Sequence, residues 1–147
     1  MTDRYLLDSN VLSELMRERP AGDVLDWFAR NARATLYTSA ITQAEILTGI
    51  ALLPAGKRRT ALAQAAEAMF EQDFSGRCLA FDAAAAKSFA LVVAQRTRSG
   101  QLISTEDAQI AAIALANALT IATRNTKDFD QIDQLAVVNP WQAITPL

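Results

Sequence analysis

The strongest constraint in this sequence is a rhythm. Short runs of apolar and β-branched residues alternate with segments of helical period from Tyr5 to Val138. Tyr5-Leu6-Leu7, Thr35-Leu36-Tyr37-Thr38, Cys78-Leu79-Ala80-Phe81, Leu119-Thr120-Ile121-Ala122-Thr123 and Leu135-Ala136-Val137-Val138 read as five strands. Between the first two, Val11, Leu12, Leu15 and Met16 follow helical spacing, and Val24 to Phe28 form a second short helix. Ser39 or Thr42 opens a third, running through Leu52 to the stop at Pro54-Ala55-Gly56. A long helical segment runs from Lys57 to about Phe74, Asp82 caps an Ala-rich helix, and Ser104 to Ala118 is the clearest helix of all. Strands separated throughout by helical segments specify a parallel sheet with helices on both faces. The expected fold is α/β, a three-layer sandwich around a central, mainly parallel sheet of about five strands. At 147 residues, positions 1–147 are read as a single domain with a substantial core.

Composition then removes whole classes of chemistry. There is no histidine and only one cysteine, Cys78. His-dependent triads, His-ligated zinc, cysteine clusters and a disulfide framework are excluded. Cys78 is read as a small core hydrophobe. The net charge is −2, so any nucleic acid must be held by a local patch rather than by the overall field. The tools that remain are carboxylates and a hard metal ion. Met1-Thr2-Asp3-Arg4 lacks the features of a signal peptide, and the apolar stretch Ala108–Ala122 is too short and interrupted to span a membrane. The expectation is a cytoplasmic protein with no membrane partner.

Three acids occupy telling positions. Asp8 follows the first strand directly, and ligands of open α/β sheets sit beyond the carboxyl ends of strands. Glu45 lies on the stripe Ile41, Glu45, Thr48, Leu52 of its helix. Asp107 shares a face with Ile110, Ile113 and Asn117. An inward-facing carboxylate is costly unless paired, hydrogen-bonded or metal-bound. Taken singly, each has a plainer explanation. Asp8 can cap the next helix, and Thr42-x-x-Glu45 and Ser104-x-x-Asp107 fit the capping-box pattern, with both acids in first turns where the helix dipole favours them. Function is argued from coincidence, because a parallel sheet brings all three points to one edge. Asp128, after the fourth strand, is a fourth candidate at that edge. Asn125 competes with it as an amide-oxygen donor or orienting group.

These pieces together carry a resemblance. Leu6-Leu7-Asp8-Ser9-Asn10-Val11, Ser39-x-x-Thr42-x-x-Glu45-Ile46-x-x-Gly49, Asp107-x-x-Ile110-Ala111-Ala112, Thr123-Arg124-Asn125-x-x-Asp128-Phe129 and Asn139-Pro140-Trp141 occur in the order found in PIN-domain nucleases. Among these the chain resembles the VapC-type toxins of toxin–antitoxin pairs. The resemblance implies a Mg²⁺- or Mn²⁺-dependent endoribonuclease that leaves a 5′-phosphate and a 3′-hydroxyl. Asp8, Glu45 and Asp107 match its three core acidic positions, and Asp128 or Asn125 the fourth. It also implies that Asn10 and Ser13 order the site, that the protein forms a homodimer, and that a small cognate antitoxin lays an amphipathic segment in an apolar groove. Leu12, Leu15, Met16, Leu47, Ile50 and Leu53 are candidate groove residues.

The chemistry suits the residues. Bound metal lowers the pKa of water, and a pair about 3.5–4 Å apart clamps attacking and leaving oxygens of a phosphodiester. Arg124 and Lys127 flank the acids as candidate RNA phosphate contacts. Lys57-Arg58-Arg59 and Arg96-x-Arg98 read as solvated helix ends, and Trp27, Phe28 and Trp141 as core or interface rather than base-stacking platforms. The rival readings fit less well. A haloacid-dehalogenase-type phosphatase has Asp-x-Asp where this chain has Asp8-Ser9-Asn10. A receiver module needs an acidic pair and a late lysine that are not evident. A non-catalytic RNA- or protein-binding module has no use for the intact acidic set.

Overall fold

The structure, a computed structural model, describes residues 3–142. Met1 and Thr2 of the amino-terminal stretch Met1-Thr2-Asp3-Arg4 lie outside it, as do residues 143–147 of the expected domain. Five strands form the sheet: β1 (Arg4–Leu7), β2 (Thr35–Ser39), β3 (Cys78–Leu79), β4 (Thr120–Ala122) and β5 (Val137–Val138). Their order is β3-β2-β1-β4-β5, and every pairing is parallel. The chain steps outward from β1 to β2 and β3, then crosses to the other side of β1 with β4 and β5. The strand order therefore reverses between β1 and β4, which is where open α/β sheets place ligands.

Among the described residues six α-helices cover the sheet: α1 (Ser9–Leu15), α2 (Gly22–Arg30), α3 (Ala40–Ala51), α4 (Lys57–Ala68), α5 (Ala83–Arg98) and α6 (Thr105–Ala116). Successive strand residues face opposite sides, and the core divides accordingly. Leu6 and Ile121 pack with Ile110, Ile113 and Val92 of α5 and α6 on one face. Leu7 and Ala122 pack with Val11, Leu12, Trp27, Ile46 and Ile50 on the other. This is the expected three-layer sandwich. Cys78 is half-buried, its thiol donating to Gln43 Oε1 at 3.6 Å, and burial pushes that thiol's pKa up. Trp27 is buried edge-to-face against Tyr5 and Phe28.

The segment after Lys57 is helical to Asp73, close to the expected Phe74: it is α-helical to Ala68 and continues as a π turn, Met69–Asp73, with Met69 and Phe70 in the core. Of the two residues expected to open α3, Ser39 is the cap: its Oγ accepts from the Thr42 N–H at 3.1 Å. That puts Glu45 beyond the first turn, so neither a capping box nor the helix end explains it. The buried stripe of α3 is Thr42, Ile46 and Ile50, one position round from the expected one, and Leu52 is 80% exposed. Arg96 is no solvated helix end, because only 5% of it is exposed; Arg98 does face solvent. No described helix is long and apolar enough to cross a membrane.

Candidate functional site

The site grows from the carboxyl ends of β1 and β4. Asp8, at the end of β1, is the N-cap of α1 and is 4% exposed. Its Oδ1 accepts from the Ser9 N–H at 2.8 Å and its Oδ2 from the Thr123 hydroxyl at 2.8 Å. Asn10 Nδ2 reaches Asp8 Oδ2 at 3.4 Å and Thr123 Oγ1 at 3.2 Å. Asn10 Oδ1 accepts from the backbone N–H of Arg124 at 3.1 Å, so one side chain ties the β1 and β4 ends together. Thr123, fully buried, is the hub. It donates to Asp8 and accepts from Asn10 and from the Asn125 N–H at 3.1 Å. Its place at the end of an apolar run disguised it as a strand residue; the polar sequence immediately after it was the available signal.

The other acids stand around Asp8. Glu45 is exposed as a residue, but its carboxylate accepts from the Ser9 hydroxyl at 3.2 Å, one residue from Asp8. Asp107 is half-buried in the first turn of α6, whose N-cap Ser104 accepts from the Asp107 N–H at 3.1 Å. Asp128 lies in a 3-10 turn, Thr126–Asp128, after β4. Burial pushes Asp8 above the usual carboxylate range, against the hydrogen bonds from Thr123 and Ser9, and the charge of Asp128 adds to the rise. Burial also raises Asp107, with Asp128, Asp8 and Glu106 adding to it. Glu45 rises through burial and then through the Asp8 charge, Asp107 and Glu106 contributing less. Asp8, Glu45 and Asp107, from three separate segments, are thus raised by neighbouring acids, and Asp128 supplies charge from a fourth. Glu106, beside Asp107, belongs to this electrostatic group and was not anticipated. Among the described residues no three acids close into a ready-made cation cage.

The remaining candidates take distinct places. Ser13 is exposed and, with Ser9 and Glu45, borders a cavity of about 850 Å³ beside the acids. Met16, Ile46, Ile50, Leu53 and Leu62 supply its apolar lining, and Arg17 and Arg58 its basic side. Of the anticipated groove residues, Met16, Ile50 and Leu53 line it. Leu12 is fully buried in the core, Leu15 borders a different cavity, and Leu47 is 42% exposed off the groove. Arg124 places its guanidinium carbon 5.1 Å from the ring centre of Trp141, a cation–π contact. Lys127 is exposed in the 3-10 turn.

Fold and site together define a parallel α/β protein with an acidic centre at the point where its strand order reverses. Comparison with known proteins gives the family. The PIN-domain family matches residues 5–135. A plasmid stability protein, StbB, of Pseudomonas syringae is 46% identical, the match covering 94% of this chain and 99% of that protein. A VapC ribonuclease of Sinorhizobium fredii is 42% identical over 93% of this chain and 97% of its own. The toxin FitB of Neisseria gonorrhoeae is 40% identical, covering 92% and 97%. The crystal structure of FitAcB from the same organism superposes with a TM-score of 0.85 at 38% identity, covering 95% and 99%. The chain belongs to the PIN-domain family, in the group that includes the VapC and FitB toxins.

Proposed function

We propose that this protein is a divalent-metal-dependent endoribonuclease, the toxin of a toxin–antitoxin pair, acting in the cytoplasm. One feature carries the reading: at the switch point of the sheet the charge of Asp128 raises Asp8 and Asp107, and the charges of Asp8 and Asp107 raise Glu45, which brings carboxylates from four separate segments together. Acids so placed repel one another unless a cation or protons intervene. Mg²⁺ and Mn²⁺ favour oxygen donors, and Mg²⁺ keeps several waters and needs only one or two carboxylates. The donor set therefore fits a partly hydrated hard cation. Asp8 and Asp107 would hold it, with Glu45 and Asp128 adding charge around it. When bound, such an ion activates water and neutralises charge on the phosphate. The chain's own residues do the rest. Thr123 and the Ser9 N–H fix the Asp8 carboxylate, and the Ser9 hydroxyl orients Glu45. Asn10 keeps the Arg124 backbone beside Asp8. Arg124 and Lys127 meet the RNA backbone.

The partners follow from the same surface. The cavity beside Glu45 has an apolar floor and Arg17, Glu18 and Arg58 among its lining, which suits an amphipathic antitoxin segment. Leu52, Leu91 and Leu102, at 80%, 73% and 99% exposure, give a homodimer apolar surface to cover. The test is RNA cleavage with Mg²⁺ or Mn²⁺ by wild type, Asp8→Asn and Asp107→Asn. Both variants are expected to lose activity. Cleavage by both at the wild-type rate would overturn the assignment. Asn125→Ala against Asp128→Ala decides the fourth position, with Asp128→Ala expected to lose more.

A further inference from the structure

Arg96 belongs to neither the hydrophobic core nor the ring of acids. It sits near the end of α5, 5% exposed. Its Nη2 donates to the backbone carbonyl of Asp128 at 3.0 Å and to that of Asp130 at 2.8 Å. Among the described residues no carboxylate stands within ion-pair distance of it, and its Nε has no hydrogen-bond partner. A guanidinium stays charged throughout the working pH range. Burying that charge against carbonyls alone costs free energy that an apolar side chain of similar length would not incur. What such a side chain lacks is the ability to hold two carbonyl oxygens at once.

Those carbonyls lie in the turn that carries the fourth acid. Asp128 N–H donates to the Asn125 carbonyl at 3.1 Å, and Asn125 N–H to Thr123 Oγ1 at 3.1 Å, while Thr123 donates to Asp8. The segment 123–130 is thus tied to Asp8 at one end and to Arg96 at the other. Gln95, the neighbour of Arg96, extends the hold by donating to the Gln131 carbonyl at 2.8 Å and accepting from the Asp133 N–H at 3.2 Å. The Asp128 carboxylate itself accepts no hydrogen bond among the described residues, so the main chain is what sets the position from which it reaches the site.

We propose that Arg96 is a positioning residue: from α5 it fixes the main chain of Asp128 and so aims that carboxylate at Asp8 and Asp107. The proposal rests on the reading of the acidic site as the nuclease centre and on Asp128 being part of it. The experiment combines RNA cleavage with amide hydrogen exchange across residues 124–131. It uses wild type, Arg96→Met, Arg96→Lys, Asp128→Ala and the double variant Arg96→Met/Asp128→Ala. Arg96→Met is expected to lower kcat about 10- to 100-fold, the scale of a small misplacement at a reacting centre. KM for RNA should stay near wild type, and the Mn²⁺ concentration for half-maximal cleavage should rise. Arg96→Lys, which keeps the cation but donates from one nitrogen, should fall between, and it serves if Arg96→Met does not fold. Effects that act through one group do not multiply, so the double variant should be no slower than Asp128→Ala. Exchange across 124–131 should quicken in both Arg96 variants. Wild-type kcat and Mn²⁺ dependence in the Arg96 variants, multiplying effects in the double variant, or unchanged exchange would each overturn the proposal. An inert wild type would instead overturn the nuclease reading, with exchange alone still deciding whether Arg96 orders the loop.

Discussion

At the scale of single residues, Thr123 concentrates more of the site than any acid does. Its one hydroxyl donates to Asp8 and accepts from Asn10 and Asn125. Thr123→Val keeps the shape and removes all three hydrogen bonds. A buried carboxylate then loses the closer of its two side-chain donors, keeping only Asn10 at 3.4 Å, a change that costs about 1–3 kcal/mol. The variant should show that loss in urea unfolding at neutral pH, whereas Thr123→Ser should lose much less. Equal stability of Thr123→Val and wild type would show that Asp8 does not depend on this donor. Asp8 was legible in the sequence because an acid at a strand's end is conspicuous. Thr123 entered only as the first residue of the Thr123-Arg124-Asn125 motif, and its bonding role was not legible, because a β-branched residue closing an apolar strand needs no polar explanation.

At the scale of elements, the helix caps set where the acids stand. Ser104 caps α6 and holds the Asp107 N–H. Ser104→Ala should lower stability by about 1 kcal/mol, the usual worth of such a cap, and should also weaken metal-dependent cleavage because Asp107 sits in the turn the cap fixes. A thermal melt and a cleavage assay on the same variant read the two effects separately. A melt shifted with cleavage unchanged would leave the cap purely structural. The five strands and six helices were legible from apolar period alone, since each strand run is short and each helix has a clear start or stop. The face of α3 was not. Its apolar residues surround the helix, so period could not distinguish the stripe through Glu45 from the buried one through Thr42, Ile46 and Ile50. The correction sharpens the case for Glu45: Ser39 caps the helix, and Glu45 is left with no helix-end reason to be acidic. Arg96 misled for a related reason. A cation near a helix C-terminus satisfies a local rule, and only tertiary packing shows that the loop after Thr126 folds over it.

At the scale of the whole molecule, the acids make stability depend on pH and metal in opposite directions. Asp8, Glu45 and Asp107 all have folded-state pKa values raised above their ordinary ones, which lie near about 3.9–4.3 in unfolded chains. The folded protein therefore holds these protons more tightly than the unfolded chain does. Their favourable contribution is fully present below about pH 4 and is lost as pH rises through the folded values. In chelator, the melting temperature should fall between pH 4 and pH 7.5, and less so in Asp107→Asn, which removes one of the mutually repelling charges. A divalent cation binds the ionised acids, so its stabilisation should grow over the same interval. With Mn²⁺ at about 100 times its dissociation constant the gain is about 2.7 kcal/mol. For a chain of this size that raises the melting temperature by roughly 5–10 °C at pH 7.5, with a smaller rise at pH 4. Differential scanning measurements with Mn²⁺ and with chelator at both pH values supply all four numbers. A Mn²⁺ gain that is absent at pH 7.5, or equal at both, would mean that the raised acids are not where the metal binds.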